Sequence, residues 1–232
     1  SSDLLYPCGA LLAVYIFLVA KEPHSSAIII TCGIGLIMLI AAGLRIWFLI
    51  PAGILAVLGA FASYLTFEHV RNRVNIWLDP FSDMRKTGFQ AAMGQIAIGS
   101  GGLFGRGLGN GMQKQLYLPE PHNDFIFATW CEEMGLIGAL AVIAVFAYLI
   151  WRGLRIARSS PDRMGMLLAT GITAKLAIQT IMNLFVVTGL MPVTGASLPF
   201  FSYGGTALML QLAEMGILLN VSRYMRIEAR TE

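Results

Sequence analysis

The chain reads as an all-α, polytopic membrane protein with about seven membrane helices. Two observations predict this. Of its 232 residues, 56% are hydrophobic and only 12% are charged, whereas a soluble domain carries roughly 25% charged residues. The apolar residues also fall in blocks near the length of about 20 that a spanning helix needs, and the mean hydropathy is +0.71. The net charge of +3 is too small, and its basic residues too scattered among short loops, to argue for a nucleic-acid partner.

Five segments meet the length of a span or approach it: Ser26 to Leu44, Ile46 to Phe67, Phe125 to Trp151, Met164 to Thr188 and Gly204 to Val221. Pro7 to Ala20 is shorter and reads as a sixth, clipped or tilted. Gly88 to Ser100 is shorter still and amphipathic, and reads as a partial seventh. Pro51 falls in the first turns of the second segment, where its missing N–H is tolerated or produces a kink. The chain starts with Ser1, and Pro7 to Ala20 lacks the basic stretch and cleavage site of a signal peptide. The expectation is a single membrane domain over 1–232, taken from a longer protein.

Orientation follows from the loops. Glu68 to Lys86 holds Arg71, Arg73, Arg85 and Lys86; Trp151 to Arg163 holds Arg152, Arg155, Arg158 and Arg163; the tail holds Arg223, Arg226 and Arg230. Positive loops stay cytoplasmic, so these three are expected on one side, which requires Gly88 to Ser100 to cross. Residues 101–123 and the uncharged loop from Gly189 to Tyr203 then fall on the other side. Non-helical backbone near a membrane must be covered by protein or line a wet cavity, so both are expected to line one pocket.

An ionisable residue at the rim of a membrane is costly and marks a site by default. Asp124 is such a residue, set between a glycine-rich segment and a long apolar helix. Asn123 or Asp124 also suits the N-cap of the helix from Phe125, and capping does not exclude work as a general base. The run Gly99 to Gly109 lacks the strand context and Gly-Lys-Ser/Thr ending of a nucleotide loop. It reads as a packed or flexible turn, or as a backbone nest for a pyrophosphate to which Arg106 and Lys114 add charge. His122 reads as a loop hydrogen-bonder; His24 and His69 fall on the opposite side, so a histidine metal site is not expected. Cys8, Cys32 and Cys131 have no metal-ligand spacing and read as small buried hydrophobes.

Lys175 and Glu214 lie inside the last two spans, about 18 Å and 14 Å deep at about 1.5 Å per residue. Similar depth and opposite sign predict a membrane-buried ion pair, the alternative being separate snorkelling. Gln179 and Asn183 share a helix face and read as interhelical glue. At least one of Glu132 and Glu133 is expected to face protein or an aqueous cavity.

Four motifs in order, Ala97-Ile98-Gly99-Ser100-Gly101-Gly102-Leu103-Phe104-Gly105, Leu118 to Ala128, Glu132-Glu133-Met134-Gly135 and Leu198-Pro199-Phe200-Phe201-Ser202-Tyr203-Gly204-Gly205, resemble the SEDS family of shape, elongation, division and sporulation proteins (FtsW, RodA, SpoVE). The form Pro-Glu-Pro-His-Asn-Asp is similar to the FtsW and SpoVE branch. The resemblance covers essentially the whole chain. It implies a ten-helix fold of which the amino-terminal helices are missing here, and an enzyme that polymerises peptidoglycan from lipid II, the undecaprenyl-pyrophosphate-linked disaccharide peptide. It implies a multi-pass protein of the bacterial cell membrane with an extracytoplasmic catalytic loop over 101–123 and a cytoplasmic carboxyl terminus.

By the same resemblance Asp124 is the catalytic aspartate, taking a proton from the 4-hydroxyl of the acceptor sugar. Arg106, Lys114, Glu120, His122 and Ser202 are expected at the substrate. No cofactor is fixed, and a divalent Mg or Mn ion is left open. Class B penicillin-binding proteins and divisome or elongasome proteins are the implied partners. One carboxylate suits a reaction whose leaving group needs charge stabilisation; a two-carboxylate hydrolase would need a partner, for which Glu120 is the nearby candidate. The chain departs from some division relatives in having Thr194 where they carry Lys, and in its Lys21 to Ser26 segment. Two other classes remain: a flippase of lipid-linked precursor, with Lys175 and Glu214 as its only mid-membrane charges, and a non-catalytic scaffold for a penicillin-binding protein.

Overall fold

The computed structural model describes residues 15, 25–44, 47, 49–82, 88–112 and 124–224. Expectations placed on the rest of Pro7 to Ala20, on Cys8, Lys21 to His24, Arg85, Lys86, Arg226 and Arg230 lie outside the described residues. Among the described residues the regular elements are helices: α1 (Ser25–Ala41), α2 (Leu49–Thr66), α3 (Glu68–Leu78), α4 (Phe89–Gly101), α5 (Ile126–Ser159), α6 (Arg163–Val187) and α7 (Gly205–Arg223). The all-α, multi-pass class is as the sequence predicts. Three helices, α5, α6 and α7, are long and apolar enough to cross a membrane, and Ser26–Ala41 and Val57–Thr66 are shorter apolar helical stretches.

Two compact units divide the chain. One comprises 1–43, 143–180 and 204–232, the other 44–142 and 181–203, so α5 and α6 each contribute to both. In the first unit small residues let helices approach. Ile178 packs against Gly33, Met38 against Gly171, and the Thr173 side chain fills the space beside Gly153. Ile156, Ala157, Ala169 and Leu218 form its buried cluster, with Met215 and Val221 packed on it.

The second unit departs from the sequence reading. Glu68 to Lys86, expected as a basic loop, begins with a helix. Val70, Val74 and Trp77 recur at the i, i+4, i+7 spacing of one face, and Glu68 sits in the first turn, where negative charge suits the helix dipole. The helix ends because Asp79 precedes Pro80, which disfavours α geometry at the preceding residue; Asp79 has φ −143 and ψ 84. Trp77 Nε1 donates to the Gly189 carbonyl at 2.8 Å, so the end of α3 lies at the end of α6.

The segment Gly88 to Ser100, expected to cross, is a short helix in the structure. Helix α4 has 13 residues, about 20 Å at 1.5 Å per residue, against a hydrocarbon layer of about 30 Å. Its middle lies where α5 begins and α6 ends: a Cβ on Gly94 would sit 2.6 Å from the Phe125 ring, Gln95 lies against Gly189, and Gly101 abuts the Cys131 carbonyl. A cavity of about 10 Å³ between Trp77, Gln95 and Gly189 has room for one water at most. Arg71 and Arg73 belong to the same compact unit as Asp124.

Helix α5 has 34 residues, about 50 Å along its path. Its stretch free of charge, Met134 to Trp151, suffices for the hydrocarbon layer. The turns bearing Glu132 and Glu133 extend beyond it towards Asp124. At the junction Gly135 adopts φ 65, ψ −165 and breaks the helix.

Candidate active site

Helix α5 starts at Ile126 after a turn at Asp124 and Phe125. Phe125 is 1% exposed and anchors the mouth of the helix; its carbonyl accepts from the N–H groups of Ala128 (3.0 Å) and Thr129 (3.3 Å). Asp124, half-buried, precedes it. Its main-chain carbonyl accepts from Asn183 Nδ2 at 2.8 Å, and the same Nδ2 donates to the Ala196 carbonyl at 2.7 Å. The loop after α6 is thereby drawn against Asp124. Gly195, in the left-handed region at φ 78, leaves space there: a Cβ would lie 3.6 Å from Asp124 Oδ2.

The loop closes on itself next to this point. Leu198 N–H donates to Ser202 Oγ at 2.8 Å, and Ser202 N–H returns to the Leu198 carbonyl at 3.1 Å. Phe200 inside the turn has φ 62, a left-handed geometry costing about 1–2 kcal/mol for a residue with a Cβ. The Phe201 ring meets Trp130 edge-on at 6.0 Å, and Trp130 Nε1 donates to the Gly138 carbonyl at 2.9 Å. Ser202, expected at the substrate, has its hydroxyl accepting within this turn.

The glycine-rich segment is locked onto the break in α5. In an unbroken helix the carbonyls of Glu132 and Glu133 would accept from the N–H groups of Leu136 and Ile137. Here Arg106 and Gly107 donate to those two carbonyls, both at 3.0 Å, while Leu136 and Ile137 donate to Gly102 (2.9 Å) and Leu103 (3.3 Å). Two intrahelical bonds become four between segments. The approach requires glycine on both sides: a Cβ on Gly105 would strike the Glu133 carbonyl, and one on Gly135 would lie 2.6 Å from the Leu103 carbonyl oxygen. The segment is a packed turn at this place.

Both acids beside it are buried, Glu132 at 0% and Glu133 at 7% exposed. Glu132 Oε1 accepts from Met112 N–H at 3.0 Å and lies 3.7 Å from Arg106 Nη1. Arg106 Nε also donates to the Ser100 carbonyl at 3.4 Å. Arg106 is thus engaged with protein groups, although its side chain is 39% exposed. Lys114, Glu120 and His122 lie outside the described residues, as does the rest of 113–123. In the other unit Lys175 Nζ donates to Glu214 Oε1, both side chains about two-thirds buried.

A profile of the family described as "Cell cycle protein" (FTSW_RODA_SPOVE) matches residues 1–227. The chain belongs to the FtsW/RodA/SpoVE family. Over 205 residues it is 44% identical to stage V sporulation protein E of Bacillus subtilis (strain 168), covering 88% of this chain and 56% of that protein. Over 221 residues it is 38% identical to the probable peptidoglycan glycosyltransferase FtsW of Geobacter sp. (strain M18), covering 95% and 60%. It therefore spans somewhat over half the length of these curated relatives. A solved chain described under "structural coordination of polymerization and crosslinking by a peptidoglycan synthase complex" superposes with a TM-score of 0.78 at 28% identity, covering 95% of this chain and 62% of that one.

Within the FtsW/RodA/SpoVE frame, two contributors escaped the sequence reading. Asn183 was read as interhelical glue, yet it bonds two loop carbonyls. Its signal was a buried amide one turn before an uncharged, glycine- and proline-bearing loop. Trp77 carried no local signal, because its partner lies 112 positions away.

Proposed function

We propose that this chain is the catalytic portion of an integral-membrane glycosyltransferase that polymerises lipid II into peptidoglycan strands. The observation that carries the reading is the placement of Asp124, at the mouth of α5 with Oδ2 facing the glycine of a second loop. A carboxylate carried on backbone held by Asn183 suits a general base. Asp124 takes the proton of the acceptor sugar 4-hydroxyl. The oxygen then forms a bond to the donor's anomeric carbon as the bond to pyrophosphate breaks, and undecaprenyl pyrophosphate leaves with the electron pair.

The leaving group needs positive charge. Arg106 is available only in competition with Glu132, and Lys114 is the further candidate in the sequence. Among the described residues no three His, Cys, Asp or Glu side chains gather as a metal site. A divalent Mg or Mn ion would supply positive charge to the diphosphate, and no step is routed through it.

We place the Asp124 face outside the cell. Support comes from Arg152, Arg155, Arg158 and Arg163, which join the far ends of α5 and α6, and from Arg223 at the end of α7. These follow the positive-inside tendency, and Arg71 and Arg73 run against it. The partner in this reading is a class B penicillin-binding protein within the divisome or elongasome, supported by the similarity to a chain from a peptidoglycan synthase complex.

The test uses the whole natural protein with its partner, incubated with lipid II. Glycan polymer is expected, and Asp124→Asn is expected to abolish it while leaving expression and complex formation intact. Polymer made equally well by Asp124→Asn sinks the role of this residue. No polymer under any condition, with lipid II crossing vesicle membranes instead, would favour the flippase.

A further inference from the structure

Asp124 is two residues before the start of a helix, where backbone is usually free to fray. Its own loop neighbour Phe125 anchors the ring side, but something must hold the carbonyl side. We propose that Asn183 is the positioning residue for Asp124, acting as a clamp between the mouth of α5 and the loop after α6. This rests on the reading of Asp124 as the base.

Three observations carry it. Asn183 is wholly buried, at 0% exposed. Its two amide hydrogens are both spent on backbone carbonyls of different segments, Asp124 at 2.8 Å and Ala196 at 2.7 Å. Ala196 adjoins Gly195, the residue that faces Asp124 Oδ2. One amide therefore sets both the height of the carboxylate at the helix mouth and the distance of the wall opposite it. A side chain that accepts cannot replace it, since two carbonyl oxygens converge on the same nitrogen. A purely apolar side chain takes this donor from both carbonyls. Asn183 touches no reacting atom in this scheme; it acts through Asp124.

The consequence differs from that of simple loosening. Displacing a catalytic group by about 1 Å costs on the order of 10²-fold in rate, while binding of the lipid-linked substrates, which depends on other contacts, is untouched. Asn183→Leu is expected to lower kcat about 100-fold with KM for lipid II within about twofold. Asn183→Asp, which sets a carboxylate against two carbonyls, is expected to be worse. Asn183→Gln keeps the donor amide and should recover at least a tenth of the wild-type kcat.

The experiment measures kcat and KM on monodisperse protein in complex with its partner, together with amide exchange of 124–130 and 194–198. Faster exchange confined to those two segments, a fall in kcat alone and rescue by Gln support the clamp. If Asn183→Leu keeps wild-type kcat, or Gln and Leu are equally impaired, or exchange rises throughout the protein, the clamp is wrong. Asp124→Asn is run alongside. If it retains activity, the base assignment fails; if it is dead while Asn183→Leu is fully active, the clamp alone fails.

Discussion

Replacing Gly105 by alanine tests the interlock between the glycine-rich segment and the broken helix. The residue sits at φ 78, and an added Cβ would strike the Glu133 carbonyl and come within 2.5 Å of its carbon. Left-handed geometry costs about 1–2 kcal/mol for alanine. The neighbouring backbone cannot yield without parting the two segments, which forfeits the bonds from Arg106 and Gly107 to the carbonyls of Glu132 and Glu133. Each is worth about 1 kcal/mol, so the total loss is about 3–4 kcal/mol. At roughly 2–4 °C per kcal/mol for a chain of this size, the melting point should fall by about 10 °C. Gly109 supplies the control, because its φ of 81 is similar and a Cβ there would meet nothing within 4 Å. Gly109→Ala should lose only about 1–2 kcal/mol, the backbone part. The assay is thermal unfolding of both variants in the same detergent, followed by tryptophan fluorescence. Equal melting points for the two variants would refute the interlock.

Single reversals Lys175→Glu and Glu214→Lys should each cost about 3 kcal/mol, the penalty of an unpaired charge within a membrane helix, and the double reversal should recover most of the yield. If the double variant expresses no better than either single one, the pair does not stabilise the helices. Arg106→Ala should destabilise the protein by about 1–3 kcal/mol, by taking a cation from buried Glu132, with Arg106→Ala/Glu132→Gln closer to wild type; additive losses in chemical denaturation would contradict the coupling. A cysteine at Asn72, in a background without Cys8, Cys32 and Cys131, should react with a membrane-impermeant thiol reagent from the same side as one at Leu190. Labelling from opposite sides would restore the crossing at Gly88 to Ser100.

The five long apolar segments were legible because hydropathy over a span is a local property, and the observed helices fall within a few residues of them except at the end of α5, which runs on to Ser159. Asp124 was legible for a similar reason, an acid where a polar segment meets an apolar one. Two things were not. The amphipathic stretch of α4 and the arginines of α3 both fitted a crossing when charge was counted along the chain. What bears on it is contact between Trp77 and Gly189 and between Gly94 and Phe125, pairs that no local pattern announces. The glycine-rich run read as a packed or flexible turn or as a backbone nest because glycine permits both looseness and close approach, and the partner at Gly135 shows the close approach. Ser202, expected at the substrate, also accepts a bond within its own loop, which a linear motif does not announce.

The interruption at Gly135 also divides α5 mechanically. Ile126 to Met134 form a short stub whose carbonyls at Glu132 and Glu133 are held by residues 106 and 107, while the shaft beyond buries Ala139, Val142 and Phe146. Torque on the glycine-rich segment passes into the stub and is spent at the joint, so whatever grips that segment from outside holds a lever on the carboxylate at its tip without unseating the shaft.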